Sequence, residues 1–168
     1  MLYLCCGKIA CGKSRWAEAF KKEHSAVILS MDGLTLPLSD LLQGPAHDRV
    51  TSAVKEYLFS TAEQILEAGA DVILDWGFWW KEERTRVRTR FKEKGFPVCL
   101  VYFPLSDEDW QKNISDRNRR VAQGTYDAYP VDEGLREKCQ ALFEAPGEDE
   151  IDLLVPHKPG SGSPCEEV

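Results

Sequence analysis

Five short apolar runs punctuate the chain: Leu2–Cys6, Ala26–Ser30, Asp71–Asp75, Val98–Phe103 and Leu153–Val155. Each has the length of a strand. Between them lie longer segments of helical composition, at Lys13–Lys22, Asp48–Ala68, Lys81–Lys94, Asp107–Arg120 and Val131–Phe143. Regular alternation of strand and helix predicts an α/β fold, a mostly parallel five-stranded sheet covered by helices on both faces. In the first helix Trp16, Ala17, Ala19 and Phe20 supply the buried face. Ser106 followed by Asp109 reads as a capping-box variant at the start of the fourth. Gly69 and Gly95 fall where helix ends need a left-handed residue. There is no internal repeat. From Pro156 the sequence PHKPGSGSPCEEV predicts a flexible tail over 156–168, which leaves one domain over 1–155.

Between the first strand and the first helix stands GKIACGKS, residues 7–14. Gly7, Gly12, Lys13 and Ser14 fill the fixed positions of G-x-x-x-x-G-K-[ST]. The pattern arises by chance in roughly one chain in 200 of this length, given average residue usage. Its chemistry is specific. The glycines let the backbone wrap a polyphosphate, so the amides of Gly7, Lys8, Ile9, Ala10, Cys11, Gly12, Lys13 and Ser14 form the binding loop. Lys13 reaches the β- and γ-phosphates, and the Ser14 hydroxyl ligates Mg²⁺. A strand before the loop and a helix after it is the context the motif requires, with phosphates at the positive end of the helix. Nucleoside triphosphate binding follows.

With 168 residues, 43% of them hydrophobic, the chain is long enough for one well-formed core. No apolar stretch is long enough to span a membrane, and no secretory leader pattern is present. Six cysteines (Cys5, Cys6, Cys11, Cys99, Cys139, Cys165) lack metal-ligand spacing, which predicts reduced thiols in a cytoplasmic protein. Cys11 lies inside the loop, where its oxidation would block the nucleotide. The formal net charge of −7 disfavours a long nucleic acid as partner, since a polynucleotide surface needs a basic stripe. Positive residues concentrate in Lys81–Lys94 and Lys112–Arg120, and acidic residues flank both.

Three further features carry candidate chemistry. Asp75 ends the run Val72-Ile73-Leu74, and an acidic residue at the carboxyl end of a buried parallel strand points into the ligand crevice. Beside the loop it reads as the second Mg²⁺-organising group; the plain alternative is a capping or salt-bridged Asp. Asp32 follows the second strand, placed to accept a proton from an attacking hydroxyl. The alternative there is an Asp-Gly turn, with Gly33 letting the backbone reverse. Arg117, Arg119 and Arg120 precede a polar loop with Gly124, Tyr126 and Tyr129. They suit stabilisation of a transferring phosphoryl group on a lid of about 113–130, unless they form a solvated basic face. Trp76, Phe78, Trp79 and Trp80 follow Asp75, either walling an acceptor pocket or packing in the core.

Taken together, GKIACGKS, LSMD, VILDWGFWWKEER, DRNRR and FEAPGEDE resemble the P-loop kinase group of zeta toxins, chloramphenicol phosphotransferase and polynucleotide kinase domains. The chain is most similar to small bacterial ATP-binding proteins labelled AAA-family ATPases. The resemblance covers most of residues 2–152. It implies a P-loop NTPase three-layer α/β/α sandwich, nucleoside-kinase-like with a helical lid, using ATP and Mg²⁺. It also implies that Asp32 is the general base, Asp75 the Mg²⁺-associated acid and Arg117 a lid residue, with Arg84 structural or substrate-facing. Two departures bear on the acceptor. Thr35 stands where polynucleotide kinases carry an arginine, and Asn113 stands where many relatives carry another.

The expected activity is transfer of the γ-phosphoryl group of ATP to a hydroxyl of a small-molecule acceptor. Lys13, Asp32, Arg117 and Arg120 are the catalytic residues, and Ser14 and Asp75 hold the metal, in a monomer or homodimer. The acceptor's identity depends on how Leu34–Gln43 and Trp76–Trp80 fold over the site. The rival expectations are a polynucleotide 5′-hydroxyl kinase and a nucleotide-dependent ATPase or switch acting through a protein partner.

Overall fold

The apolar runs form one sheet of strand order β2-β3-β1-β4-β5, with β1 Leu2–Cys6, β2 Ala26–Ser30, β3 Asp71–Asp75, β4 Val98–Tyr102 and β5 Leu153–Leu154. This computed structural model describes residues 1–39 and 45–157, and residues 45–47 by their backbone alone. Part of the predicted acceptor wall (40–43), most of the predicted tail and Cys165 therefore lie outside the described residues. All pairings among the described strands are parallel, so the sheet is parallel throughout rather than mostly. The reason is that a helix lies on every crossover, which returns each strand in the same direction. Two strands end one residue earlier than the apolar runs suggest, although the amides of Phe103 and Val155 still donate to Cys6 O (3.0 Å) and Tyr102 O (2.9 Å) and their side chains pack on the core.

Side chains alternate across the central strand. Leu2, Leu4 and Cys6 join the core formed with α3 (Pro45–Glu67) and α4 (Lys81–Glu93), where Leu58, Phe59, Ala62, Val87 and Phe91 are buried. Cys5 turns to the opposite face and meets Ala17 of α1 (Lys13–Glu23), flanked by Tyr3, Trp16 and Phe20. Burying each large side chain such as Phe59 or Phe91 contributes about 1.5–3 kcal/mol. The sheet is thus sandwiched between helical layers. Ala19, expected on the buried face of α1, is exposed. Trp16, Ala17 and Phe20 complete that stripe, and residue 19 falls outside it.

A third, smaller cluster joins Trp110 and Ile114 of α5 (Asp107–Ala122), Cys139 of α6 (Glu133–Leu142) and Val131 to Ile9 and Ala10. It supports the loop that follows β1. The expected caps are present: Ser106 Oγ accepts from the Asp109 amide at 3.1 Å, and Gly69 and Gly95 have φ of 88° and 84°. One element escaped the apolar pattern. Residues Met31–Thr35 form a short helix, α2, continued by a 3-10 turn at Leu36–Leu38. Ser30 caps it by accepting from the Gly33 amide at 3.3 Å. Gly33 is therefore helical, and the sharp reversal expected there does not occur.

Candidate functional site

The loop Gly7–Ser14 leaves β1 at the centre of the sheet's carboxyl edge and runs directly into α1. Gly12 has φ 99°, a left-handed conformation that a Cβ would strain. A Cβ on Gly7 would lie 2.6 Å from Cys11 Sγ, so the first glycine is required by close approach. Lys13 Nζ folds back over the loop, donating to the carbonyls of Gly7 (3.2 Å) and Lys8 (2.7 Å). Two side chains of α5 hold the next carbonyls: Trp110 Nε1 donates to Ile9 O at 2.8 Å and Asn113 Nδ2 to Ala10 O at 3.0 Å. A planar trans peptide puts N–H opposite C=O, so the amides of Ala10 and Cys11 face away from α5. With the first-turn amides of α1, this makes an anion-binding hollow.

Lys8 takes part only through its backbone. Its ammonium points away to Asp107 (3.1 Å) and Gln140 (3.0 Å) and sits 4.3 Å from the Trp110 ring centroid. Lys13 behaves differently. Burial works against its charged form, but Cys11, Asp75 and Cys5 outweigh that and hold its pKa above the ordinary lysine value. It remains an ammonium over the whole useful pH range.

The register of the sheet brings the acidic residues to the same edge. Ser30 pairs with Asp75 at the ends of β2 and β3, and Asp32 follows two residues later on α2. Asp75 is buried and hydrogen-bonded to the Ser14 hydroxyl. Burial raises its pKa, with Asp32 and Glu18 adding to the rise; the Ser14 bond and Lys13 offset it in part. Two hard oxygen donors therefore lie side by side at the helix start. Asp32 is exposed and lines the same cleft as Lys13, Ser14 and Asp75. That cleft has a volume of about 1650 Å³.

The arginine cluster borders the cleft from α5. Arg117 Nε donates to Tyr129 O at 3.0 Å, and Arg120 lies 4.7 Å from the Tyr126 ring centroid. Asn118 fixes the returning chain by a two-way amide bond with the backbone of Val131, at 2.8 Å each way. Arg119 also borders the cleft but is exposed and ion-paired with Asp116, one turn away. Residues 113–122 belong to α5 itself, and the segment predicted as a lid comprises that half-helix and the loop behind it.

The aromatic stretch divides. Trp76 and Phe78 stack at 4.8 Å and are buried in the core under α3. Trp79 packs against the third cluster, and Trp80 stays 40% exposed at the cleft. Arg84, 2% exposed, is structural. It donates to Phe78 O (3.1 Å) and Glu144 O (2.9 Å) and pairs with both carboxylate oxygens of Glu150. Glu144 in turn accepts from the Lys81 amide at 2.7 Å, capping α4. The end of VILDWGFWWKEER, at Arg84, and the FEAPGEDE segment, both read as family marks, are thus two halves of one clasp.

Sequence reasoning missed the Lys55–Glu83 ion pair that lines the cleft beside Trp80. A signal was present: Asp48, Thr51 and Lys55 are spaced to share one face of α3.

Comparison with known proteins adds the family. No curated protein matches the chain in sequence. Kti12 from Chaetomium thermophilum in complex with ADP-AlF3 has TM-score 0.67 and 18% identity, over 96% of this chain and 91% of its own. A sugar kinase from Janibacter sp. HTCC2649 gives 0.65 and 16%, over 92% and 84%. The Mycobacterium tuberculosis APS kinase CysC, in complex with AMPPNP and APS, gives 0.59 and 19%, over 92% and 87%. These likenesses establish a P-loop kinase-like fold. A sequence model described as AAA domain matches residues 2–146, and the chain belongs to that family.

Proposed function

We propose that this protein is an ATP- and Mg²⁺-dependent phosphotransferase that moves the γ-phosphoryl group to a hydroxyl of a small molecule. One observation carries the reading: an exposed carboxylate, Asp32, faces the same cleft as the Lys13 loop and the Ser14–Asp75 pair. Hydrolysis through a switch needs no carboxylate on the far side from the loop; attack by an acceptor hydroxyl does.

The donor residues suit the metal. Hydroxyl and carboxylate oxygens are hard donors, and Mg²⁺ takes only one or two protein groups, completing its octahedron with water and phosphate oxygens. Accordingly, no group of three or more His, Cys, Asp or Glu gathers as a cage among the described residues. When bound, Mg²⁺ neutralises phosphate charge. Ser14 and Asp75 hold it, Lys13 and the loop amides bind the phosphates, and Asp32 takes the proton from the acceptor hydroxyl. Arg117 and Arg120 balance the charge that develops on the transferred group.

The acceptor is a small molecule rather than a polynucleotide, and the protein works as a monomer or homodimer. The described cysteines are all free thiols, in keeping with the reducing cytoplasm as its compartment. Among the described residues no helix is long and apolar enough to cross a membrane.

The test is transfer of label from γ-labelled ATP, with Mg²⁺, to small hydroxyl compounds and to 5′-hydroxyl oligonucleotides. Labelled small-molecule product is expected, and none on the oligonucleotides. ATP turnover without acceptor as fast as with any candidate would overturn the proposal.

A further inference from the structure

The cleft volume of about 1650 Å³ exceeds the roughly 300–1,000 Å³ that one small ligand fills, so it has room for a second molecule beside the nucleotide. The half away from the arginines is walled by α2, by α3 and by the start of α4. Its character is set by four features. Trp80 is a large aromatic left 40% exposed within a concave site, and Lys55 Nζ lies 5.8 Å from its ring centroid. Lys55 is ion-paired with Glu83 Oε1, and both line the cleft although their side chains are only 20% and 8% exposed. Asp32 and Asp48 add carboxylates along the same wall. Arg15 brings a positive charge at the α1 edge.

These charges select against both signs of ligand. An anionic acceptor turned towards Asp32 would meet its exposed carboxylate. A cationic one stacked on Trp80 would meet the Lys55 ammonium. An ammonium with three N–H donors beside a carboxylate with two oxygens offers donor and acceptor at adjacent points, which is what a pair of neighbouring hydroxyls can match. The exposed indole supplies the remaining requirement, a flat apolar platform for the C–H face of a ring. Resting on the phosphotransferase reading above, we propose that the acceptor is an uncharged polyhydroxyl ring compound, a sugar or cyclitol. It stacks on Trp80 and is held through its hydroxyls by Lys55 and Glu83, with one hydroxyl turned to Asp32. In the transfer, the acceptor oxygen forms the new bond to the γ-phosphorus as the bond to the β,γ-bridging oxygen breaks. The hydroxyl proton goes to Asp32, and ADP leaves.

Two measurements separate this inference from the reading on which it rests. Binding of neutral monosaccharides and cyclitols, of their phosphate and carboxylate derivatives, and of amino sugars is followed by saturation-transfer NMR with a non-hydrolysable ATP analogue and Mg²⁺. Label transfer from γ-labelled ATP is measured on the same panel and on 5′-hydroxyl oligonucleotides. At least one neutral ring compound is expected to bind and to be phosphorylated. Trp80→Ala and Lys55→Met each raise its KM by about tenfold or more, while the nucleotide Kd stays within a few-fold. Trp80→Phe, which keeps a platform, restores most of the loss and excludes misfolding as the cause.

Neutral binding that depends on Trp80 but yields no transfer upholds the acceptor site and defeats the phosphotransferase reading. Transfer only to an anionic, cationic or oligonucleotide acceptor upholds that reading and overturns this inference. Neutral binding indifferent to Trp80 and Lys55, or no binding across the panel, also overturns it.

Discussion

Arg84 and Glu150, 66 residues apart, form a two-point guanidinium–carboxylate pair at 2.9 and 3.1 Å beneath the aromatic turn that follows β3. Remaining guanidinium donors go to the carbonyls of Phe78 and Glu144, so one side chain joins the end of β3, the start of α4 and the segment leading to β5. Arg84 is buried and the Glu150 carboxylate half-buried. Removing the arginine leaves two carbonyls without their partner and a half-buried carboxylate held, among the described residues, only by the Gly147 amide, a change that costs about 3 kcal/mol, the lower end for breaking a buried pair. We expect Arg84→Met to lower stability by that amount in urea unfolding. Arg84→Lys should rescue little, because an ammonium cannot span the fork. A loss below about 1 kcal/mol would show the clasp to be ornamental.

The same clasp sets an acid limit. Hydrogen bonding from Arg84 holds the Glu150 carboxyl below its ordinary value of 4.5, against an opposing effect of burial. The folded chain therefore binds this proton less readily than the unfolded chain. Stability from the pair is complete above about pH 4.5 and drains away as pH falls through the lowered value. Glu63, held low by Lys94 and Arg90 despite burial, adds an acid dependence of the same sign. Thermal melts from pH 6 to 3 should show a shallower decline for Glu150→Gln than for the parent, starting from a lower plateau. Parallel curves would place the acid sensitivity elsewhere.

Asp75 runs the other way. Burial, with Asp32 and Glu18 nearby, raises its pKa, so its charged form weighs against the folded state at neutral pH. A carboxylate kept in such a place is explained by a ligand that needs it. Asp75→Asn retains a partner for the Ser14 hydroxyl and removes the charge. We expect it to stabilise the ligand-free protein by about 1 kcal/mol and to abolish the Mg²⁺ dependence of nucleotide binding. A variant less stable than the parent, and still Mg²⁺-responsive, would sink this account.

The legibility of the chain followed the range of the interactions. Leu2–Cys6, Ala26–Ser30 and Asp71–Asp75 match the observed strands because each parallel strand is a local apolar run, even at the half-exposed edge formed by Ala26–Ser30. The phosphate loop was readable because its chemistry lies within eight consecutive residues. Helix α2 was missed because five residues of MDGLT carry no helical period, and only the Ser30 cap betrays it. Nothing local told which face of α1 would carry Ala19. The role of Arg84 and the Lys55–Glu83 pair stayed hidden because their partners sit 66 and 28 positions away, brought near only by the packing of whole elements.

Asn113 illustrates a departure that the fold explains. Its amide donates to Ala10 O and, with Trp110 on Ile9 O, fixes the phosphate loop from behind. Losing one such bond leaves a loop carbonyl unheld, and the loop must then order itself on the ligand. A single hydrogen bond is worth about 0.5–1.5 kcal/mol, or up to roughly tenfold in affinity. Asn113→Ala should therefore weaken ATP binding by about three- to tenfold in calorimetry, with a smaller change in turnover at saturation. An unaltered nucleotide Kd would mean that the loop is rigid without α5.

Asp32 and Lys13 divide the two halves of the proposed transfer, and their variants should fail differently. Lys13 folds over the loop, so Lys13→Ala removes a charge that the phosphates would meet in both ground and transition states. Both nucleotide affinity and turnover should fall. Asp32 lies on the opposite wall, exposed on α2, with no bond to the loop among the described contacts. Asp32→Ala should leave nucleotide affinity within a few-fold while lowering kcat by about 10²–10⁴, the usual worth of a general base. Asp32→Asn should do no better, since an amide of the same shape cannot take the proton. Near-parental kcat in either Asp32 variant would remove the base assignment and leave the exposed carboxylate as part of the acceptor wall alone.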